Sequence, residues 1–392
     1  MAKSKKFPFV IDMHTHIRVQ ALFDIMEANP VQTPGPGTED WYVAGSAMNT
    51  GTNLVARDRE RWAVMTDPKQ RLAAMDQQGV DVQVISVNFP TTCSWLEPEL
   101  SLKAARLTND TIAEFCATKP DRFVGVGVVL LQAPDLAASE LERCVTDLGL
   151  RGAWITSHIQ AQDIGRRELR PFWSAAEQLD VPVFIHPLGP TNISRMRDNF
   201  LFNVVGQPLE ETLSICSLIY EGVMDAYPRL KVGISHGGGY LPYYIGRSDW
   251  AWEHNRGGVR DHLKQKPSAY LSRFYYDTII HDPDILPILV KKAGVGHVMM
   301  GSDWPAVSED AIAFIADADF LSDDEKQKII WKNASELFRI GACQRRRPPQ
   351  RSADIVISGD HRTYSQGGRH GNQAASKRSQ ADIRHPAWTG DR

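Results

Sequence analysis

His14 and His16 stand one residue apart at the end of the apolar run Phe9-Val10-Ile11-Asp12-Met13, and in an extended strand that spacing puts two imidazoles on one face. Two neutral imidazoles converging from a strand end form half of a divalent-metal site. A lone His-x-His is a weak signal, because short motifs match by chance. Three later segments repeat the pattern of an apolar run ending in a ligand-type side chain: Phe184-Ile185-His186, Ile234-Ser235-His236 and Met300-Gly301-Ser302-Asp303. Imidazole and carboxylate donors suit zinc, with manganese where oxygen ligands count for more. Three or four such ligands leave a position for water, whose pKa the ion lowers toward neutrality. A histidine left uncoordinated beside them could move protons at ordinary pH.

The elements that must position these residues alternate regularly. Eight short runs rich in β-branched or aromatic residues lie at 9–12, 80–87, 123–129, 151–156, 181–186, 230–236, 274–280 and 297–302. Between them, helical spacing of apolar residues covers 102–116, 136–148, 169–178, 209–224 and 312–320. Asp135 after Pro134 reads as an N-cap, Gly149 as a helix stop, and Lys119-Pro120-Asp121 as another. Eight strands alternating with helices predict an α/β fold, a (β/α)8 TIM barrel with active residues at the C-terminal strand ends. Residues 1–343 form this barrel on the sequence reading. Within it, residues 18–70 make a long insertion after strand 1, read as a lid-like wall carrying Trp41, Tyr42 and Trp62. Residues 344–392 form a polar tail with ten Lys or Arg against four Asp, too poor in apolar surface to fold alone.

In the whole chain, 44 Lys and Arg face 47 Asp and Glu, so no strong field argues for nucleic acid or a membrane surface as partner. No stretch has the apolar length of a membrane span. The five cysteines are odd in number and widely spaced, which reads as reduced thiols in a cytoplasmic protein.

With these residues in place, the chain resembles the amidohydrolase superfamily and, within it, the 2-amino-3-carboxymuconate-6-semialdehyde decarboxylase-like family. The likeness runs from about Phe9 to Phe338. It includes Met75-Asp76-Gln77-Gln78-Gly79-Val80, Pro120-Asp121-Arg122-Phe123-Val124-Gly125, Gly206-Gln207-Pro208-Leu209-Glu210-Glu211-Thr212 and Lys231-Val232-Gly233-Ile234-Ser235-His236-Gly237-Gly238-Gly239. The resemblance implies that His14, His16, His186 and Asp303 hold one divalent ion, zinc first and manganese second, and that His236 is the acid/base residue, with Asp303 also catalytic. It implies two arginines on a substrate carboxylate, Arg59 (or Arg57 or Arg61) in the insertion and Arg247 reaching the neighbouring site of a homodimer. A lysine that bridges two metals in related barrels is missing near His158, which argues for a single ion. Asp277 reads as a group that supports a ligand. The segment 188–192 and the insertion depart from the namesake enzymes, so the expectation is a class of substrate.

That class is a small carboxylic acid, either carboxymuconate-like or a hydroxy- or aminobenzoate, which loses carbon dioxide without oxidation. The rival is a metal-dependent hydrolase or hydratase using the same ligands.

Overall fold

The computed structural model describes residues 7–29, 59–87, 93–187, 189–191, 195–196, 198–261, 263–306 and 310–341. The tail 344–392, Trp41, Tyr42 and Arg57 lie outside the described residues.

The fold is mixed α/β. Its strands are β1 (Ile11–Ile17), β2 (Val82–Val87), β3 (Phe123–Gly125), β4 (Gly127–Val128), β5 (Ala153–Thr156), β6 (His158–Ile159), β7 (Gln162–Asp163), β8 (Pro182–His186), β9 (Lys231–Ile234), β10 (Phe274–Asp277) and β11 (Val298–Met299). One sheet has the order β1-β2-β3 and a second the order β11-β10-β9-β8-β5-β4, every pair parallel. Only β6 and β7 pair antiparallel, as a hairpin beyond the end of β5. Further hydrogen bonds join the sheet edges. Val126 N donates to Ile85 O at 2.9 Å and Gly127 N to Gly152 O at 3.0 Å, so β3 and β4 act as one run. At the other edge Met13 N donates to Met300 O at 3.0 Å, and Thr15 bridges Trp304.

The helices between strands include Pro68–Gln78, Pro98–Ala117, Pro134–Thr146, Arg170–Leu179, Gln207–Tyr220, Leu286–Ala293 and Ala311–Ala316. Proline stands in the first turn of most of them, where its missing N–H costs no intrahelical bond. The sequence expectation for Asp135 is corrected here. Ala133 takes the cap position and Asp135 lies inside the first turn, where its carboxylate meets the positive end of the helix dipole.

Two apolar layers follow from the alternation along the strands. Val10, Ile17, Val87, Ile155, Ile185 and Ile234 face outward against the helices. Ile11, Met13, Val84, Trp154, Phe184 and Met299 face inward. The C-terminal helix Asn333–Leu337 closes the inner layer from below, with Phe338 stacked on Phe184 at 5.7 Å.

The two ends of the 18–70 insertion are helical, Gln20–Ala28 and Arg59–Thr66. Arg18 N donates to Met65 O at 3.2 Å, and Arg61 Nη2 to Ala306 O at 3.4 Å. These bonds tie the second helix to the ends of β1 and of the Asp303 loop.

Candidate metal centre

β1 does not run with uniform phase. Asp12 pairs with Gln83 and Thr15 with Ile85, so Met13 and His14 together oppose Val84 alone. This bulge advances the strand by one residue. Ile11 and Met13 point inward before it, and His14 and His16 point inward after it. The strand thus contributes to the inner core with one half and to the site with the other.

His14, His16, His186 and Asp303 each present a ligand atom, and these atoms all lie within 4.8 Å of one another. His14 Nε2 is 3.1 Å from His16 Nε2, and His16 Nε2 is 3.0 Å from Asp303 Oδ1. The imidazoles are buried, while the Asp303 side chain keeps 16 % exposure toward the open end. Three nitrogens and one oxygen converging at this spacing are the donor set of a single divalent ion.

Each imidazole is oriented through its other nitrogen. His14 Nδ1 donates to Asp277 Oδ2 at 2.7 Å, and Asp277 Oδ1 in turn accepts from Gly237 N at 3.0 Å. His16 Nδ1 lies 2.8 Å from Ser86 Oγ and 3.2 Å from Val87 O; His186 Nδ1 lies 3.0 Å from Pro187 O. These contacts engage Nδ1 of each ring, the arrangement that fixes ligating tautomers. Asp277 was read from sequence as supporting a ligand, and this geometry places it there.

Beneath the ligands lies Trp154, with its ring centroid 4.9 Å from that of His14 and 5.9 Å from those of His16 and His186. Gly301 permits a close approach of the last strand: a Cβ there would sit 2.9 Å from His14 Cβ and 3.0 Å from Asp277 Cβ. His236 and Asp303 both adopt positive φ, 49° and 55°, an uncommon backbone state for residues with side chains.

Electrostatics sort the members. Burial pushes His186 well below its ordinary value, helped by the neighbouring His236 charge, and burial also lowers His16 against the pull of Asp303. Burial would raise Asp303, but hydrogen bonds from His16 and His236 hold it well below the usual carboxylate range. Neutral imidazoles and an ionised carboxylate are the states that bind a cation.

His236 behaves differently. Its Nδ1 lies 2.6 Å from Glu211 Oε1 and its Nε2 3.8 Å from Asp303 Oδ2. Burial alone would lower its pKa, yet the Glu211 and Asp303 carboxylates outweigh that and hold it well above the ordinary histidine value. Glu211 is itself pushed up to about 7 by burial, against the pull of His236. The pair therefore retains a proton at neutral pH. Glu211 carries no role in the sequence reading, although an acidic residue on the inward side of helix Gln207–Tyr220 was a visible signal. Gly239, in left-handed backbone, lets the turn after His236 pass under Pro208 O, where a Cβ would collide.

The other expected residues fall elsewhere. Arg247 is exposed on helix Gly246–Glu253, a helix with no buried residue. Arg59 opens helix Arg59–Thr66, and its side chain lies outside what is described. His158 is buried at the hairpin, its Nε2 3.1 Å from Gly189 O, and supports that turn rather than the site.

Comparison with known proteins follows the same lines. A 2-amino-3-carboxymuconate-6-semialdehyde decarboxylase from Dictyostelium discoideum is 32 % identical over 274 residues, covering 69 % of this chain and 76 % of that protein. The structure of a 5-carboxyvanillate decarboxylase from Sphingomonas paucimobilis superposes with a TM-score of 0.75 at 27 % identity, covering 85 % of this chain and 99 % of the other. A dihydroxybenzoic acid decarboxylase from Polaromonas sp. JS666, crystallised with bound manganese and the inhibitor 2-nitroresorcinol, gives 0.72 at 26 %, covering 85 % and 98 %. The family model described as Amidohydrolase matches residues 11–340, and with that span including every member of the cluster, the chain belongs to the amidohydrolase family.

Proposed function

We propose that this protein is a metal-dependent, non-oxidative decarboxylase of a small unsaturated or aromatic carboxylic acid, carboxymuconate-semialdehyde-like or a hydroxy- or aminobenzoate. The observation that carries this reading is the pairing of a three-imidazole, one-carboxylate donor set with a separate histidine whose proton is held by buried Glu211. The decarboxylase relatives support it.

His14, His16, His186 and Asp303 would hold the ion, zinc by its donor preference or manganese as in the Polaromonas neighbour. When bound, the ion supplies a Lewis acid for the substrate's oxygen donors. His236 delivers its Nε2 proton to the carbon bearing the carboxylate, forming a C–H bond. The C–C bond then breaks, its electron pair returns to the unsaturated system, and carbon dioxide leaves, so one proton replaces one carboxylate. Arg59 and Arg247 are assigned to the substrate's carboxylate, for which a planar guanidinium fork is suited.

In this reading the parallel strands close into a (β/α)8 barrel, supported by the Met13–Met300 and Val126–Ile85 hydrogen bonds between sheet edges. Residues 18–70 wall the mouth, supported by the ties from Arg18 and Arg61. The enzyme acts as a homodimer in which Arg247 serves the neighbouring subunit. Supporting this, Tyr244 and Trp250 flank Arg247 with 67 % and 49 % exposure, an aromatic surface of the sort that subunits cover. Four free cysteines among the described residues fit a reducing compartment such as the cytoplasm.

The test is to load the protein with metal and assay carbon dioxide release from a panel of hydroxybenzoates, aminobenzoates and carboxymuconates in ¹⁸O-water. A decarboxylated product free of solvent oxygen is expected, and His236→Ala should lose turnover while keeping its metal. Solvent oxygen in the organic product would identify a hydrolase or hydratase instead.

A further inference from the structure

Arg71, on helix Pro68–Gln78, is fully buried behind β1. Its three nitrogens each have a neutral acceptor. Nε donates to Gln83 Oε1 at 2.7 Å, Nη1 to His16 O at 2.7 Å and Nη2 to Thr15 Oγ1 at 2.8 Å. Thr15 Oγ1 passes the chain of bonds to Val84 O at 2.8 Å. The guanidinium carbon also lies 4.8 Å from the Trp304 ring centroid, and Trp304 O accepts from His16 N at 2.9 Å.

No carboxylate lies within ion-pair distance of Arg71 among the described residues. Burying a cation whose direct partners are all neutral is costly, and the more distant Asp12 carboxylate offsets only part of that cost. What the fork gains is geometric. It grips β1 just past the bulge, at Thr15 and His16, and its face covers the ring next to Asp303. Of the four converging ligands, His16 sits on backbone that Arg71 touches, His14 precedes the gripped Thr15, and Asp303 precedes Trp304, whose carbonyl accepts from His16 N.

We propose that Arg71 is a positioning residue for the metal centre: its rigid fork fixes Thr15-His16, the segment that follows the bulge, and the Asp303-Trp304 loop so that their ligand atoms converge. This rests on the metal-centre reading above. It differs from a general stabilising role in the sign and place of its effect. Removing a nearby positive charge would by itself tighten cation binding, and general destabilisation would leave the affinity of folded protein unchanged. Lost positioning weakens it.

The test measures Mn(II) dissociation constants by calorimetry, and the Mn(II) EPR spectrum, for the full-length wild type, Arg71→Met and Arg71→Lys, well below each unfolding temperature. Arg143→Met, which breaks the remote contacts to Glu140 and Asp110, is the control. Arg71→Met is expected to weaken Mn(II) binding about 10–100-fold, as loss of an orienting partner does, with an altered EPR line shape. Arg71→Lys, a point charge without the fork, is expected to restore little. Should both Arg71 variants fail to fold, Thr15→Val and Gln83→Leu remove the acceptors singly and should weaken binding in the same direction. Unchanged or tighter Mn(II) binding in the folded variants, or equal weakening in Arg143→Met, would overturn the proposal. A wild type that binds no Mn(II) or Zn(II) would instead overturn the metal-centre reading itself.

Discussion

Glu211 Oε1 and His236 Nδ1 meet at 2.6 Å, the carboxylate fully buried and the imidazole partly so, and that one contact turns the opposite nitrogen of the imidazole toward Asp303. The second oxygen of Glu211 has no hydrogen-bond partner among the described residues, so its charge is directed at His236. Glu211→Gln keeps the shape and removes the charge. We expect kcat to fall by about 10²–10⁴, the range that general acid–base catalysis supplies, with metal content unchanged. Because the carboxylate holds the imidazole's proton, the alkaline limb of the kcat–pH profile should move to lower pH in the variant. A limb that stays in place would show that another group sets it.

Metal removal should cost stability as well as turnover. An ion held at about 100 times its dissociation constant contributes about 2.7 kcal/mol. Dialysis against a chelator is expected to lower Tm by a few degrees, with recovery on adding Zn(II) or Mn(II). Asp303→Asn should abolish that metal-dependent shift in differential scanning calorimetry.

Trp154 fills the floor under the imidazoles, and its Nε1 has no partner among the described residues. Trp154→Ala should destabilise the protein by about 3–5 kcal/mol through the void it leaves. Trp154→Phe should cost much less, because it deletes an unsatisfied donor along with the lost ring volume. Urea unfolding of the pair measures the difference.

Glu140 is buried among Asn109, Arg106 and Arg143 on the helical layer away from the cluster. Glu140→Ala leaves Arg143 and Asn109 without their shared acceptor, and a loss of about 3 kcal/mol is expected by analogy with broken buried pairs. Metal affinity of the folded fraction should not change, which calorimetric titration checks.

Subunit complementation tests Arg247. Arg247→Ala and His236→Ala should each be inactive alone. A refolded equimolar mixture should recover about a quarter of wild-type activity, since half the dimers are mixed and each has one complete site. No recovery would place Arg247 outside the neighbouring site.

Much of the cluster was legible because ligand chemistry demands particular residue types at strand ends: His14, His16, His186, His236 and Asp303 stand out by type and position, and the family resemblance divides them into ligands and acid/base residue. The parallel alternation of strands and helices was equally visible in its periodicity. The contacts that orient the ligands were not. Asp277 is read as a supporting group, but its partner His14, 263 residues away, is not, and Glu211, 25 residues from His236, has no role in that reading, because no local pattern encodes such distances. The bulge in β1 was also hidden. Simple alternation from Phe9 would have put Ile11 and Met13 on one face and the two imidazoles on the other, whereas the extra residue brings all four inward. Asp135 lies two residues past the observed cap, Ala133, because Pro134 takes the first position of the same helix.

That extra residue lets the chain's first strand serve two masters. Excising Met13 would restore even pairing with β2 and leave both imidazoles facing inward, at the cost of one buried side chain of the inner layer. Adding a residue after the bulge, between His14 and Thr15, would instead turn His16 out of phase with His14 and split the pair of nitrogens between the interior and the helical shell.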